Sequence, residues 1–194
     1  MDIIVLTGGT LGGKTTIIEN IKRKYSYRVV IIPEVASLLF EEVFKRPKVW
    51  TLEWHYSLQR GILKKQYELE EEAKRFARKN NIKVIVCDRG MLDPSAYLEN
   101  GKQELIHRFG VNEEELLKRY TLVFHLVSLS VINPGLYEKN ILSNPFRIEN
   151  VDEARKQELG SFKAWENHPN RIIFSESLEK SEEAIFKIID FLLC

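Results

Sequence analysis

Eight residues near the start of the chain, Gly8-Gly9-Thr10-Leu11-Gly12-Gly13-Lys14-Thr15, carry the spacing G-x-x-x-x-G-K-[ST]. That spacing does phosphate chemistry. Glycines let the backbone bend until successive N–H groups point inward on an anion. Lys14 is then placed to reach the β- and γ-phosphates, and the Thr15 hydroxyl to ligate a magnesium ion. Ile3-Ile4-Val5-Leu6 reads as a buried strand before the loop, and Thr16 opens a helix after it, Thr16-Ile17-Ile18-Glu19-Asn20-Ile21-Lys22. The positive end of that helix faces the anion. Residues Gly8 through Thr16 are therefore expected to hold a nucleoside triphosphate with Mg²⁺. The alternative is a degenerate loop kept for structure alone.

A second element completes a phosphate site. Val84-Ile85-Val86-Cys87-Asp88 is an apolar strand ending in aspartate. In a parallel sheet such an Asp88 stands at the carboxyl end of its strand, beside the phosphate loop, where it can hold magnesium together with Thr15. The alternative role is to initiate the turn before Arg89-Gly90. No D-x-x-G follows this strand, and the chain has no N-K-x-D segment. The pattern favours ATP and leaves GTP open.

On the acceptor side, Val29-Val30-Ile31-Ile32 leads into Pro33-Glu34-Val35-Ala36, which puts Glu34 at another strand's carboxyl end, facing the same crevice. A carboxylate there is the right group to take a proton from an attacking hydroxyl; it could equally interact with the dipole of a helix beginning near residue 35. Arg147 and Arg155 lie eight apart, about two helical turns. Arginines on a lid offset the charge of a phosphoryl group in flight, Arg147 as a catalytic group and Arg155 on the nucleotide; as surface residues they would pair with Glu149 and Asp152. Trp50 and Trp54, with His55 adjacent, form either a stacking platform or hinge packing. The four histidines make no ligand cluster, and His125, inside a strand, reads as a core residue.

These residues need a scaffold, and the chain alternates strand-like and helix-like runs. Strands are predicted over 2–6, 27–32, 82–87, 121–127 and 171–174. A long helix is predicted from about Thr51 to Asn80, with Gln59 and Gln66 on its apolar face, and another over Leu178–Leu193. The fold class is α/β: a P-loop three-layer α/β/α sandwich with a five-stranded parallel sheet. The 194 residues are read as one domain, with a loop-rich, lid-like excursion over about 131–155 marked by Asn133-Pro134-Gly135 and Ser143-Asn144-Pro145.

The bulk numbers narrow the partners. Lys plus Arg (29) against Asp plus Glu (28) gives a net charge of +1, no electrostatic case for nucleic acid or a membrane surface. No run approaches 18 apolar residues, so no transmembrane segment is expected. Two cysteines make no disulfide framework. A cytoplasmic protein is expected. A basic patch around Lys45-Arg46-Pro47-Lys48 is the only sequence support for binding an anionic headgroup, and a solvated loop explains it as well.

Asp88-Arg89-Gly90-Met91-Leu92-Asp93-Pro94-Ser95-Ala96-Tyr97 resembles a segment of thymidylate kinases and the E-R-S segment of deoxynucleoside kinases. The resemblance makes Arg89 an acceptor-side or transition-state arginine next to the transferred group, and Glu34 the base. Over nearly the whole length the chain resembles the AAA-like P-loop family related to NadR-type ribosylnicotinamide kinases. The matching pieces are Gly8–Thr15, Pro33-Glu34-Val35-Ala36, the Gln-containing long helix, Cys87-Asp88-Arg89-Gly90 followed by Asp93 and Tyr97, Arg147-Ile148-Glu149 with Ala154-Arg155, and Trp165 with His168-Pro169 and Ile172. That family holds small-molecule kinases and a branch similar to nucleotide- and phosphoinositide-binding proteins. The resemblance implies an ATP·Mg²⁺-dependent phosphotransferase acting on a small nucleoside-like acceptor. A nucleotide-switched binding protein, or a plain ATPase, is the alternative.

Overall fold

Alternate residues of the first strand, β1 (Asp2–Thr7), feed two different cores. The computed structural model describes residues 1–42, 49–142 and 150–194. β1 lies at the centre of a five-stranded sheet with β2 (Val29–Ile32), β3 (Val84–Asp88), β4 (Leu122–Leu126) and β5 (Arg171–Phe174), in the order β2-β3-β1-β4-β5. Every pairing is parallel. The two-residue period of a strand sends Ile4 and Leu6 to one face, with Val84, Val86 and Phe124, and Ile3 and Val5 to the other, with Ile85, Cys87 and Val123.

The first face is covered by α1 (Lys14–Tyr25) and α9 (Leu178–Leu193). Ile185 and Ile189 of α9 are fully buried, a contribution of about 1.5–3 kcal/mol each. The second face takes α3 (Leu52–Lys79), α4 (Gly101–Phe109), α5 (Glu113–Arg119) and α8 (Val151–Ala164). The smaller α2 (Val35–Glu42) packs Val35 and Leu39 on Leu58 of α3. The sandwich and the parallel sheet agree with the sequence expectation. Strand ends shift by one or two residues, and residues 27 and 28, expected to begin the second strand, belong to a 3-10 turn over Ser26–Arg28.

The long helix starts where its caps dictate: the Thr51 hydroxyl accepts from Trp54 N–H at 3.2 Å. Because α3 returns the chain from the carboxyl end of β2 to the start of β3, it runs against the strands. Its first turns therefore stand over the carboxyl edge of the sheet.

The excursion over 131–155 departs from expectation. Its described part is mostly helical rather than loop-rich: α6 (Leu129–Ile132), α7 (Pro134–Leu142) and the start of α8. The Asn-Pro pair that read as a breaker is a helix start. The Asn133 side chain accepts from Leu136 N–H at 3.1 Å, and Pro134 takes the first helical position, where its missing N–H costs nothing. Asn150 and Glu153 form a reciprocal capping box on α8. Arg147 lies outside the described residues, as does the Lys45–Lys48 cluster. Among the described residues, no helix is long and apolar enough to cross a membrane.

Candidate active site

β1 ends at Thr7, and the chain turns at once through residues that a side chain tolerates poorly. Gly8 has φ +120°, and a Cβ there would stand 2.0 Å from the Leu126 carbonyl oxygen, so only glycine fits between the loop and β4. Leu11 (φ 59°) and Gly13 (φ 89°) bend the loop further, and α1 begins at Lys14. Lys14 is buried, its ammonium donating to the carbonyls of Gly8 and Gly9, both at 2.8 Å. Burial, and then the nearby charge of Arg89, lower its pKa to about 8. Thr15 and Thr16 are exposed on the first turn of α1.

β3 runs beside β1, with Leu6 opposite Asp88, so the aspartate stands at the edge beside the loop. One Asp88 carboxylate oxygen, Oδ1, is buried without a hydrogen-bond partner. Burial, and then the charge of Glu34, push its pKa up to about 6. An under-satisfied carboxylate oxygen next to a phosphate loop suits a hard divalent cation.

Arg89 follows with φ 71°, an unusual backbone for a branched-free but bulky side chain, and its neighbours hold it there. Its N–H donates to Leu6 O at 3.0 Å, and its carbonyl accepts from the Gln66 amide at 3.3 Å. Gly90 N–H donates to Asp93 Oδ2 at 2.8 Å. The guanidinium is thereby aimed across the sheet edge. Nε donates to Glu34 Oε1 at 2.8 Å, while Nη1 reaches Gly8 O at 3.3 Å and Asp93 Oδ1 at 3.4 Å.

Glu34, between β2 and α2, lies beside Arg89. The Ser37 hydroxyl donates to its other oxygen at 2.7 Å. Burial raises its pKa, but Arg89 outweighs that, and the carboxylate is held at about 2. Lys14 and Arg89 thus converge on a single carbonyl, Gly8 O, with Glu34 on the far side of the arginine.

Behind these groups stands a buried frame. Glu70 accepts from Gln66 at 2.9 Å, from the Tyr120 hydroxyl at 2.7 Å and from Arg119; Tyr120 Oη accepts from Met91 N–H at 2.8 Å. Asp93 also takes bonds from Thr7 Oγ1 at 2.5 Å and Trp165 Nε1 at 3.1 Å. These bonds lock the segment 89–93 against β1 and α8. Gln59, on the same stripe of α3 as Gln66, is buried, with its Oε1 unpartnered. At 1.5 Å per residue it lies about 10 Å beyond Gln66, over the carboxyl edge of the sheet.

Of the two arginines expected on a lid, Arg147 and Arg155, only Arg155 falls among the described residues. Its Nε donates to Ser130 O at 3.0 Å, tying α8 to α6, and Nη1 lies 3.6 Å from Asp152. Trp50 is largely exposed and meets Trp54 edge-on, ring centroids 4.6 Å apart, while His55 Nε2 sits 2.9 Å from the Tyr97 carbonyl oxygen. His125 is buried as expected, but as the partner of a carboxylate, Glu158. Glu158 and Asp93 were assigned no role from sequence. Asp93 could have been found from its place five residues after Asp88; Glu158 sits in an ordinary amphipathic helix and gives no local signal.

The family model described as "AAA domain" matches residues 3–175. No curated protein compared with the chain matches it. Among solved structures, the chain is similar to a deoxyadenosine kinase from M. mycoides with bound dATP. The similarity covers 98% of this chain and 100% of that one, with a TM-score of 0.60 and 14% sequence identity. At that identity the likeness is one of fold, a nucleotide-kinase-like P-loop sandwich.

Proposed function

The chain belongs to the AAA domain family, and from that premise we propose that it is an ATP·Mg²⁺-dependent phosphotransferase acting on a small, nucleoside-like hydroxyl acceptor. One observation carries this reading. Arg89 links the phosphate-loop carbonyl of Gly8 to the carboxylate of Glu34, so a cation and a candidate base stand side by side at the edge of the triphosphate site.

The loop amides from Thr10 to Thr16 and the Lys14 ammonium would bind the phosphates, with Arg155 nearby on α8. Thr15 and Asp88 would hold Mg²⁺, which neutralises charge on the phosphates when bound. The acceptor hydroxyl forms a new bond to the γ-phosphorus as the bond to the ADP oxygen breaks, and its proton passes to Glu34. While paired with Arg89, at a pKa of about 2, Glu34 orients the hydroxyl, and it takes the proton only once that pair opens. It gains basicity when Arg89 turns from it towards the phosphoryl group. Arg147 from the excursion is the second arginine of this scheme. Gln59, buried with a free carbonyl oxygen over the crevice, is the group for an N–H of the acceptor.

The fold likeness to a deoxyadenosine kinase supports a nucleoside acceptor, and the sequence resemblance adds ribosylnicotinamide. The test is ADP release from ATP·Mg²⁺ with and without pooled nucleosides, nucleotides and nicotinamide riboside. Release that requires one pool supports the reading. Slow release indifferent to every pool favours a nucleotide switch or plain ATPase and overturns it.

A further inference from the structure

One buried carboxylate touches the phosphate loop and takes no part in the scheme above. Glu158, on α8, is 5% exposed. Its Oε2 accepts from the Gly9 N–H at 2.6 Å and from the Ser128 N–H at 3.3 Å. Its Oε1 lies 2.7 Å from Nε2 of His125, itself fully buried in β4. Burial would raise the pKa of this carboxyl, but the hydrogen bond and charge of His125, with the two backbone N–H groups, lower it.

The loop's sequence fits this contact. The spacing G-x-x-x-x-G-K-[ST] leaves position 9 unrestricted, yet the chain has glycine there. The backbone at Gly9 does not require it, since its φ lies outside the left-handed region. The neighbour does. A Cβ at residue 9 would stand 2.6 Å from Glu158 Oε2 and 3.1 Å from Ser128 Cβ. The absent side chain is what lets the carboxylate reach the backbone.

The same stretch of α8 is fixed from the other side. A Cβ on Gly160 would meet Ala96 O at 2.8 Å, so the helix lies directly on the turn after Arg89. Ser128 Oγ donates to Thr10 O at 2.5 Å, adding a second tie from the end of β4 to the loop. Gly9 supplies one of the two carbonyls that hold the Lys14 ammonium, so whatever pins residue 9 also places that lysine.

We propose that Glu158, oriented by His125, is a positioning residue of the phosphate site: it clamps the first half of the loop and so sets the grip on the triphosphate. The inference rests on the reading of that loop as a nucleotide site. Its chemistry is acceptor chemistry. The Gly9 and Ser128 N–H groups both donate to Oε2, so a glutamine side chain, which keeps one carbonyl oxygen, can preserve both bonds.

Two readouts on the full chain test this: hydrogen exchange of the Gly9 amide without nucleotide, and the dissociation constant for ATP·Mg²⁺. In Glu158→Ala, Gly9 exchange should speed up and the dissociation constant rise, each by about tenfold, the scale of one lost buried hydrogen bond. Glu158→Gln should stay within about threefold of the parent in both, because the amide oxygen replaces Oε2. Thermal melting checks that both variants fold; if Glu158→Ala does not, Glu158→Met takes its place with the bulk kept. Unchanged Gly9 exchange in the variant lacking the carboxylate overturns the clamp. So does an equal loss in Glu158→Gln, which would make the effect one of charge or packing. If the parent protein binds neither ATP·Mg²⁺ nor GTP·Mg²⁺, the nucleotide reading fails, and Gly9 exchange alone decides whether Glu158 holds the loop.

Discussion

Arg89 Nε and Glu34 Oε1 stand 2.8 Å apart, joining the carboxyl ends of β3 and β2, which are neighbours in the sheet. The pair explains two features at once: the guanidinium is aimed back over the phosphate loop, and the carboxyl is held at about 2. Removing the arginine removes both. Arg89→Ala should lower phosphotransfer kcat by about 10²–10³, the usual scale for one charge-stabilising donor. It should also return Glu34 towards the ordinary carboxylate range, read by carbon-13 NMR titration of the glutamate. A Glu34 titration that stays low in Arg89→Ala would contradict the pairing.

Asp88 should show the opposite linkage. Its folded pKa, about 6, lies above the ordinary aspartate value of 3.8, so between those values the native state binds more protons than the unfolded chain. Its contribution to stability is therefore lost as pH rises from about 4 to about 6. Asp88→Asn should leave the melting temperature unchanged below pH 4 and raise it by several degrees above pH 6, where the buried charge has gone. It should also abolish any gain in nucleotide affinity from added Mg²⁺. Melting curves across this range, with and without the metal, check both.

Lys14 carries a lowered pKa, about 8, in the protein without nucleotide. A bound polyphosphate favours the ammonium, so binding should take up protons as pH passes above 8, and affinity should weaken there. Calorimetry in buffers of different ionisation heat measures the uptake. Lys14→Ala should bind ATP·Mg²⁺ far more weakly, keep its fold and show no uptake in this range.

Glu70 should matter for stability. It is fully buried and neutralises Arg119 while taking bonds from Tyr120 and Gln66. Glu70→Ala strands those partners, and the cost should be about 3–5 kcal/mol. Urea unfolding measures it. A loss below about 1 kcal/mol would show that the frame relaxes around the gap.

The layered α/β sheet was legible because strand alternation and helical period are local signals. So were the positions of Lys14 and Asp88, fixed by short motifs at strand ends. The Glu34–Arg89 contact was legible only as a shared edge, since the two residues are 55 positions apart and their pairing depends on strand order. Two things were hidden. Asn133-Pro134 looked like loop punctuation because capping residues and turn residues are the same types; only the geometry shows a helix starting there. Glu158 was hidden because its partners come from two distant parts of the chain, Gly9 after β1 and the His125–Ser128 stretch at the end of β4.

The central claim is transfer to an acceptor rather than to water. ATP radiolabelled in its γ-phosphate, incubated with Mg²⁺, the protein and the pooled nucleosides, tests it directly, with products separated by chromatography. Label should appear in a new organic phosphate ester, dependent on one pool and lost in Lys14→Ala and Arg89→Ala. Label found solely in inorganic phosphate, at a rate no pool changes, would contradict it.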